Sequence, residues 1–149
     1  MINFYEADKK IPVKQRKAVK NWIAEVIAGY GAACNEIGFV FGSDDFLLEM
    51  NKQHLQHDYY TDIITFDSSE EAGALSGECY LSVDRIKDNA KELGVNFTDE
   101  LHRVMIHGVL HLLGFGDKTA QEEREMRLRE NEALQMRKFH VEQTQVRNI

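Results

Sequence analysis

Residues 105–118 read MIHGVLHLLGFGDK, and this stretch sets both the kind of fold and the place of its chemistry. Met105, Ile106, Val109, Leu110, Leu112 and Leu113 recur at three- and four-residue steps, and with Leu101 and Val104 upstream they predict a largely buried helix. His107 and His111 stand four apart, so both imidazoles project from one face of that helix, one turn apart. Gly114 stops the helix and lets the chain fold back, and Asp117 follows within reach of the same point. The pattern His-x-x-x-His-x-x-Gly-x-x-Asp offers two nitrogens and one carboxylate oxygen. Three protein ligands with a position left open suit a catalytic zinc site, whereas structural sites are usually closed by four ligands. Two histidines four apart occur often by chance, and the pair alone does not make a metal site. Among so many apolar neighbours, however, two unpaired imidazoles are costly to bury. The glycine and the carboxylate add to that argument, and the prediction is a metal site formed by His107, His111 and Asp117 at the end of a buried helix.

Working outward, Thr98, Asp99 and Glu100 are the predicted start of this helix. Before it, Asp84 is expected to cap a helix that Gly94 ends. Gly77–Val83 reads as a strand, 67–76 as an acidic loop, and the β-branched run 61–66 as a further strand. Ser43, followed by Asp44 and Asp45, is a predicted N-cap of a short helix reaching about His54. Residues 37–41 form a predicted buried strand. Val19, Trp22, Ile23, Val26, Ile27 and Tyr30 mark one face of a helix closed by Gly29 and Gly31, and Ile2–Tyr5 read as a first strand. Downstream, Thr119 with Glu122 is a capping box opening a charged helix through about Arg137, with the tail after about 138 expected to fray. The sum is an α/β (α+β) chain: one domain over 1–149, with a single mixed sheet of about four strands covered by about five helices.

Composition narrows the function. With 149 residues the chain is long enough for a proper core without disulfides. Eighteen Lys and Arg against 25 Asp and Glu give a net charge of −7, which excludes coating nucleic acid by charge alone. Six bases within residues 1–20 still allow a local basic patch, while acids crowd around Asp67, Glu70, Glu71 and Glu78. No uncharged apolar run approaches the eighteen or so residues of a membrane span, so no membrane partner is expected. The start MINFYEADKK does not read as a signal peptide, and Cys34 and Cys79 read as reduced thiols, which together predict a cytoplasmic location. His54, His57, His102 and His140 are expected to be surface or half-buried polar residues.

The spacing of the motif is similar to that of metzincin peptidases, in which a glutamate follows the first histidine. Here that position is Gly108, so the general base a zinc peptidase needs is missing. Metal-assisted hydrolysis of another bond, such as a phosphodiester, is left open.

At this point HGVLHLLGFGD (107–117) resembles the motif of the YbeY-type endoribonucleases: His-Gly-x-Leu-His-Leu-x-Gly, an aromatic, then usually Asp-His. MNKQHLQHDYYTDIITF (50–66) resembles that family's upstream block and GECYLS (77–82) its following strand, so the likeness runs over nearly the whole chain. The resemblance implies a zinc-dependent endoribonuclease that prefers single strands and acts in 16S rRNA 3′-end maturation and ribosome quality control. RNA and a ribosomal partner are the implied binding partners. It also implies one zinc ion held by three histidines, of which His107 and His111 carry over directly. Asp117 replaces the third, and a harder anionic ligand should make the site less strictly zinc-selective. The same two-histidine, one-carboxylate set also occurs with iron(II), though nothing else here points to an oxygenase. The arginine that the family commonly places in the upstream block corresponds to Leu55; Lys52, Arg85 or Arg103 could supply positive charge instead. Asp62 matches a family position and could orient a ligand or a water, a structural hydrogen bond being the alternative. Two competing readings are a non-catalytic ribosome-assembly module stabilised by its metal, suggested by Leu55 and the acidic balance, and a metallopeptidase, discouraged by Gly108.

Overall fold

A computed structural model describes residues 1–56 and 59–141. Four strands form one mixed sheet in the order β1-β2-β4-β3. β1 (Ile2–Glu6), β2 (Ala33–Gly42) and β4 (Ala74–Ser82) run parallel, and β3 (Ile63–Asp67) pairs antiparallel with β4. Five helices accompany them among the described residues: α1 (Arg16–Gly29), α2 (Asp44–His54), α3 (Val83–Leu93), α4 (Phe97–Leu112) and α5 (Ala120–Gln135). The α/β architecture expected from the sequence is the one observed.

The pleat sorts the strands by parity. Ile37, Phe39 and Phe41 of β2, with Cys79 and Leu81 of β4, are fully buried towards α1 and α4. On the opposite face Phe46 of α2 packs over Gly42 and stacks on Tyr80. On the buried face of the sheet α4 runs as the central helix, with ten buried residues, and α3 and α5 pack against it. Trp22 of α1 donates from its indole nitrogen to the Ala133 carbonyl of α5 at 2.7 Å, which ties the first and last helices together.

Several boundaries differ from the sequence-based expectation. β2 begins at Ala33 rather than at 37, and β4 at Ala74 rather than Gly77, because the two strands continue to pair, Ala33 with Ala74, Cys34 with Leu75 and Glu36 with Ser76, through a mixed stretch too short to show an apolar alternation. α1 begins at Arg16, about one turn before Val19, the first residue of its buried face. α3 is capped by Ser82, whose hydroxyl accepts from the Arg85 amide at 3.0 Å, so Asp84 lies in its first turn. Likewise Asn96, not Thr98, caps α4, accepting from the Asp99 amide at 2.7 Å. In both cases the side chain that holds the N3 amide stands two residues before the expected one. The Ser43 cap and the Thr119–Glu122 capping box stand where the sequence put them.

The expected fraying after about residue 138 does not extend to 139–141. Phe139 packs on Trp22 and His102, and Val141 is buried; residues 142–149 lie outside those described. His102 is also corrected. It is 2% exposed, packed beside Trp22 and Phe139, and its Nδ1 pairs with Arg137 Nη1 at 2.8 Å. His54 and His140 are exposed as expected, and His57 lies outside the described residues. Both cysteines are free thiols, Cys79 buried and Cys34 half-buried. No helix among the described residues is long and apolar enough to cross a membrane.

Candidate metal centre

The last two turns of α4 carry the histidines, and the way this helix ends places the third group. Gly114 adopts φ +102°, a conformation few side-chain-bearing residues tolerate. Its amide bonds the His111 carbonyl at 2.9 Å and the Phe115 amide bonds the Leu110 carbonyl at 3.0 Å, the paired closure of a Schellman motif. The chain therefore turns back over the helix end, and Asp117 reaches the histidines before Thr119 starts α5.

His107 Nε2 and His111 Nε2 are 2.9 Å apart, and Asp117 Oδ2 lies 3.3 Å from the first and 3.4 Å from the second. Ligand atoms on a tetrahedral zinc ion are separated by roughly 3.3–3.5 Å, given bonds of about 2.0–2.1 Å. Two edges of the observed triangle match that spacing and the third is slightly short. Two imidazoles and a carboxylate whose acceptor atoms meet at one point, with no hydrophobic group between them, fit a divalent cation; this cluster could hold one. The three are half-buried and line a cleft of about 450 Å³.

Asn51, Leu55, Tyr59, Asp62, Ile63 and Leu112 form much of the remaining wall. Asp62 is thus in the cleft, where burial raises its carboxyl pKa and the nearby His107 charge partly offsets this. Its Oδ2 receives Asn89 Nδ2 at 3.4 Å. None of Lys52, Arg85 and Arg103 lines the cleft. Arg85 pairs with Asp44 at 3.0 Å and lies over the Tyr60 ring, and Arg103 is committed to α5. Leu55, at the end of α2, stands in the wall and brings no charge.

Gly108 faces away from this cleft, towards the sheet. A Cβ there would lie 2.8 Å from both Cys79 Sγ and Ile63 Cδ1. The position next to the first histidine therefore has no room for a glutamate and points at the sheet rather than at the histidine pair.

One residue near the centre is absent from the sequence-based reading. Glu130 of α5 meets His107 Nδ1 at 2.7 Å through Oε2 and Arg103 Nη1 at 2.9 Å through Oε1. Burial alone would raise the Glu130 pKa, but the hydrogen bonds from His107 and Arg103 hold it below the usual carboxylate range. For His107 burial favours the neutral ring; Glu130, then Asp117 and Asp62, outweigh this and raise its pKa.

A family model described as Endoribonuclease YbeY matches residues 1–138. The chain belongs to the YbeY endoribonuclease family. It is 48% identical over 135 residues to the endoribonuclease YbeY of Porphyromonas gingivalis, covering 91% of this chain and 89% of that one. To the endoribonuclease YbeY of Cytophaga hutchinsonii it is 44% identical over 138 residues, covering 93% and 96%. Its fold is similar to the solution structure of TM1509 from Thermotoga maritima, with a TM-score of 0.65 and 26% identity over 91% of this chain and 88% of that one.

Glu130 was not found from the sequence because its partner is 23 residues away on another helix. A signal existed all the same. Met126, Glu130 and Ala133 occupy one face of α5, so a glutamate stands on its buried stripe.

Proposed function

We propose that this family member is a zinc-dependent endoribonuclease cutting single-stranded RNA, acting in 16S rRNA 3′-end maturation and ribosome quality control in the cytoplasm. The observation that carries the reading is the convergence of His107 Nε2, His111 Nε2 and Asp117 Oδ2 in an open cleft of a chain whose relatives are endoribonucleases. A divalent cation held there supplies Lewis acidity towards a phosphodiester. The chain's own contribution is to aim three acceptor atoms at one point and to line much of the rest of the cleft with the uncharged side chains of Leu55, Ile63 and Leu112. Asp117 brings a negative charge where the family usually has a neutral imidazole, so the site tolerates harder divalent ions as well as zinc.

Incubating the purified chain with an unstructured RNA tests this. Cleavage should require added zinc and should disappear with chelator and in His111→Ala. If both treated samples cut as fast as the untreated wild type, the activity is not this protein's.

A non-catalytic ribosome-assembly role is the second reading, favoured by one observation: among the described residues no Lys or Arg lines the cleft. It predicts RNA binding without cleavage. Loss of cleavage in Asp117→Asn with the fold intact would exclude it.

A further inference from the structure

Glu130 is 5% exposed and sits between Met126 and Ala133 on the face of α5 that packs against α4. An ionised carboxylate is costly to bury unless paired, and a Leu or Met would continue the apolar stripe without that cost. What the glutamate has gained is a set of directed contacts. Oε2 faces His107 Nδ1 at 2.7 Å; Oε1 accepts from Arg103 Nη1 at 2.9 Å, with Arg127 Nη1 at 3.5 Å. Arg103 also donates from Nη2 to Asn131 Oδ1 at 2.8 Å, so its guanidinium is fixed between two adjacent residues of α5. Arg103 and His107 are one turn apart on α4, and both therefore reach the same carboxylate.

We infer that Glu130 is a positioning residue for the metal centre: it keeps the His107 proton on Nδ1, so that Nε2 presents its lone pair to the point shared with His111 and Asp117. In a neutral imidazole the nitrogen that carries the proton is set by the hydrogen bond the other ring atom makes. With Nδ1 donating to a carboxylate held by Arg103, the ring can neither flip nor shift its proton without breaking a short buried bond. Asp62, for which the sequence left open a ligand-orienting role or a structural hydrogen bond, accepts from Asn89 Nδ2 at 3.4 Å. The inference rests on reading His107 as a metal ligand.

A second consequence follows from linkage. α5 delivers the carboxylate, so any cation that prefers this arrangement of His107 also favours the docked position of α5, by the same factor. Metal loading is thereby read out at a helix that contributes no ligand.

Zinc affinity of the full chain, measured by competition with a chromophoric chelator, tests the proposal together with nitrogen-15 spectra of the metal-free imidazoles recorded well above neutral pH. The wild type should show His107 as the Nδ1–H tautomer. Glu130→Gln should weaken zinc binding 10- to 100-fold, and Glu130→Leu should do so while His107 changes to a mixture of tautomers. Hydrogen exchange of α5 amides should slow on adding zinc in the wild type and change less in Glu130→Gln. If neither variant folds, Arg103→Gln, which leaves the carboxylate in place but unclamped, should show a smaller loss of affinity and a mixed tautomer. Unchanged zinc affinity and an unchanged tautomer in the folded variants, with only thermal stability lowered, would reduce Glu130 to a structural ion pair. His111→Ala separates the two readings. Zinc binding that survives in that variant overturns the metal site itself, whereas binding lost there but intact in Glu130→Gln overturns only the positioning role.

Discussion

Any side chain at position 108 would have to displace Cys79 or Ile63, each 2.8 Å from where its first carbon would stand. α4 can lie this close to the sheet because the residue beside its first metal-ligand candidate is only hydrogen. Gly108→Ala should therefore cost about 1–3 kcal/mol by overpacking, seen as a lower denaturant midpoint, even though alanine is the better helix former. His102 is the other position where one residue governs a bulk property. Burial, then the Arg137 charge, lowers its pKa to about 4, while Asp99 pulls weakly the other way. The unfolded chain binds a proton at this histidine below about pH 6.5 and the native chain does not until about pH 4, so native stability falls as pH drops through that window. The loss should be on the order of 2–3 kcal/mol by pH 4. His102→Gln, which can still accept from Arg137, should flatten that part of the thermal-unfolding profile against pH. These two residues differ in how far the sequence exposed them. Gly108 was legible as a departure from a peptidase motif, but the reason for it lies in β3 and β4. His102 was read as surface or half-buried because its apolar cover, Trp22 and Phe139, comes from both ends of the chain.

Helix ends carry most of what is precise about the site. The Schellman closure at Gly114 sets the direction in which the chain leaves α4, and with it the position of the Asp117 carboxylate. Gly114→Ala must adopt a positive φ that costs roughly 1–2 kcal/mol or abandon the turn. The expected outcome is a zinc affinity reduced by at least about tenfold with the rest of α4 intact, measured by chelator competition and circular dichroism. Local signals made this element readable: a four-residue histidine step, a stopping glycine and a capping box are all set within one or two turns of sequence. The start of α4 was harder, because Asn96, Thr98 and Asp99 are all capable caps and only the backbone turn decides between them. The strands were underestimated for a related reason. Ala33–Glu36 pair in the sheet with little burial, and Ala74–Ser76 bury only Leu75, so neither segment is long enough in apolar alternation to announce a strand. Glu130 shows the limit most plainly, since its position on the stripe of α5 was visible but its partner on α4 was not.

At the scale of the whole molecule, one sheet presents α4 against its buried face, and the centre forms where α4, the returning loop and α5 meet. A cation there would bridge α4 to the loop directly and to α5 through Glu130. Stripping the metal should thus lower the thermal midpoint, by roughly 5–10 °C if zinc is present at about 100 times its dissociation constant. The acidic total charge and the lack of Lys or Arg in the cleft among the described residues place little of the RNA affinity on phosphate contacts by the protein, so binding should depend only weakly on salt. The family's fold and motif order were legible along the chain because they are written in consecutive segments; the packing that makes three side chains converge is a property of the assembled layers. The most direct test of the account is anomalous scattering at the zinc edge from crystals grown with zinc. It should reveal one ion per chain bound by His107 Nε2, His111 Nε2 and Asp117 Oδ2. A zinc-soaked crystal with no ion between those atoms, or with the three groups turned apart, would contradict it.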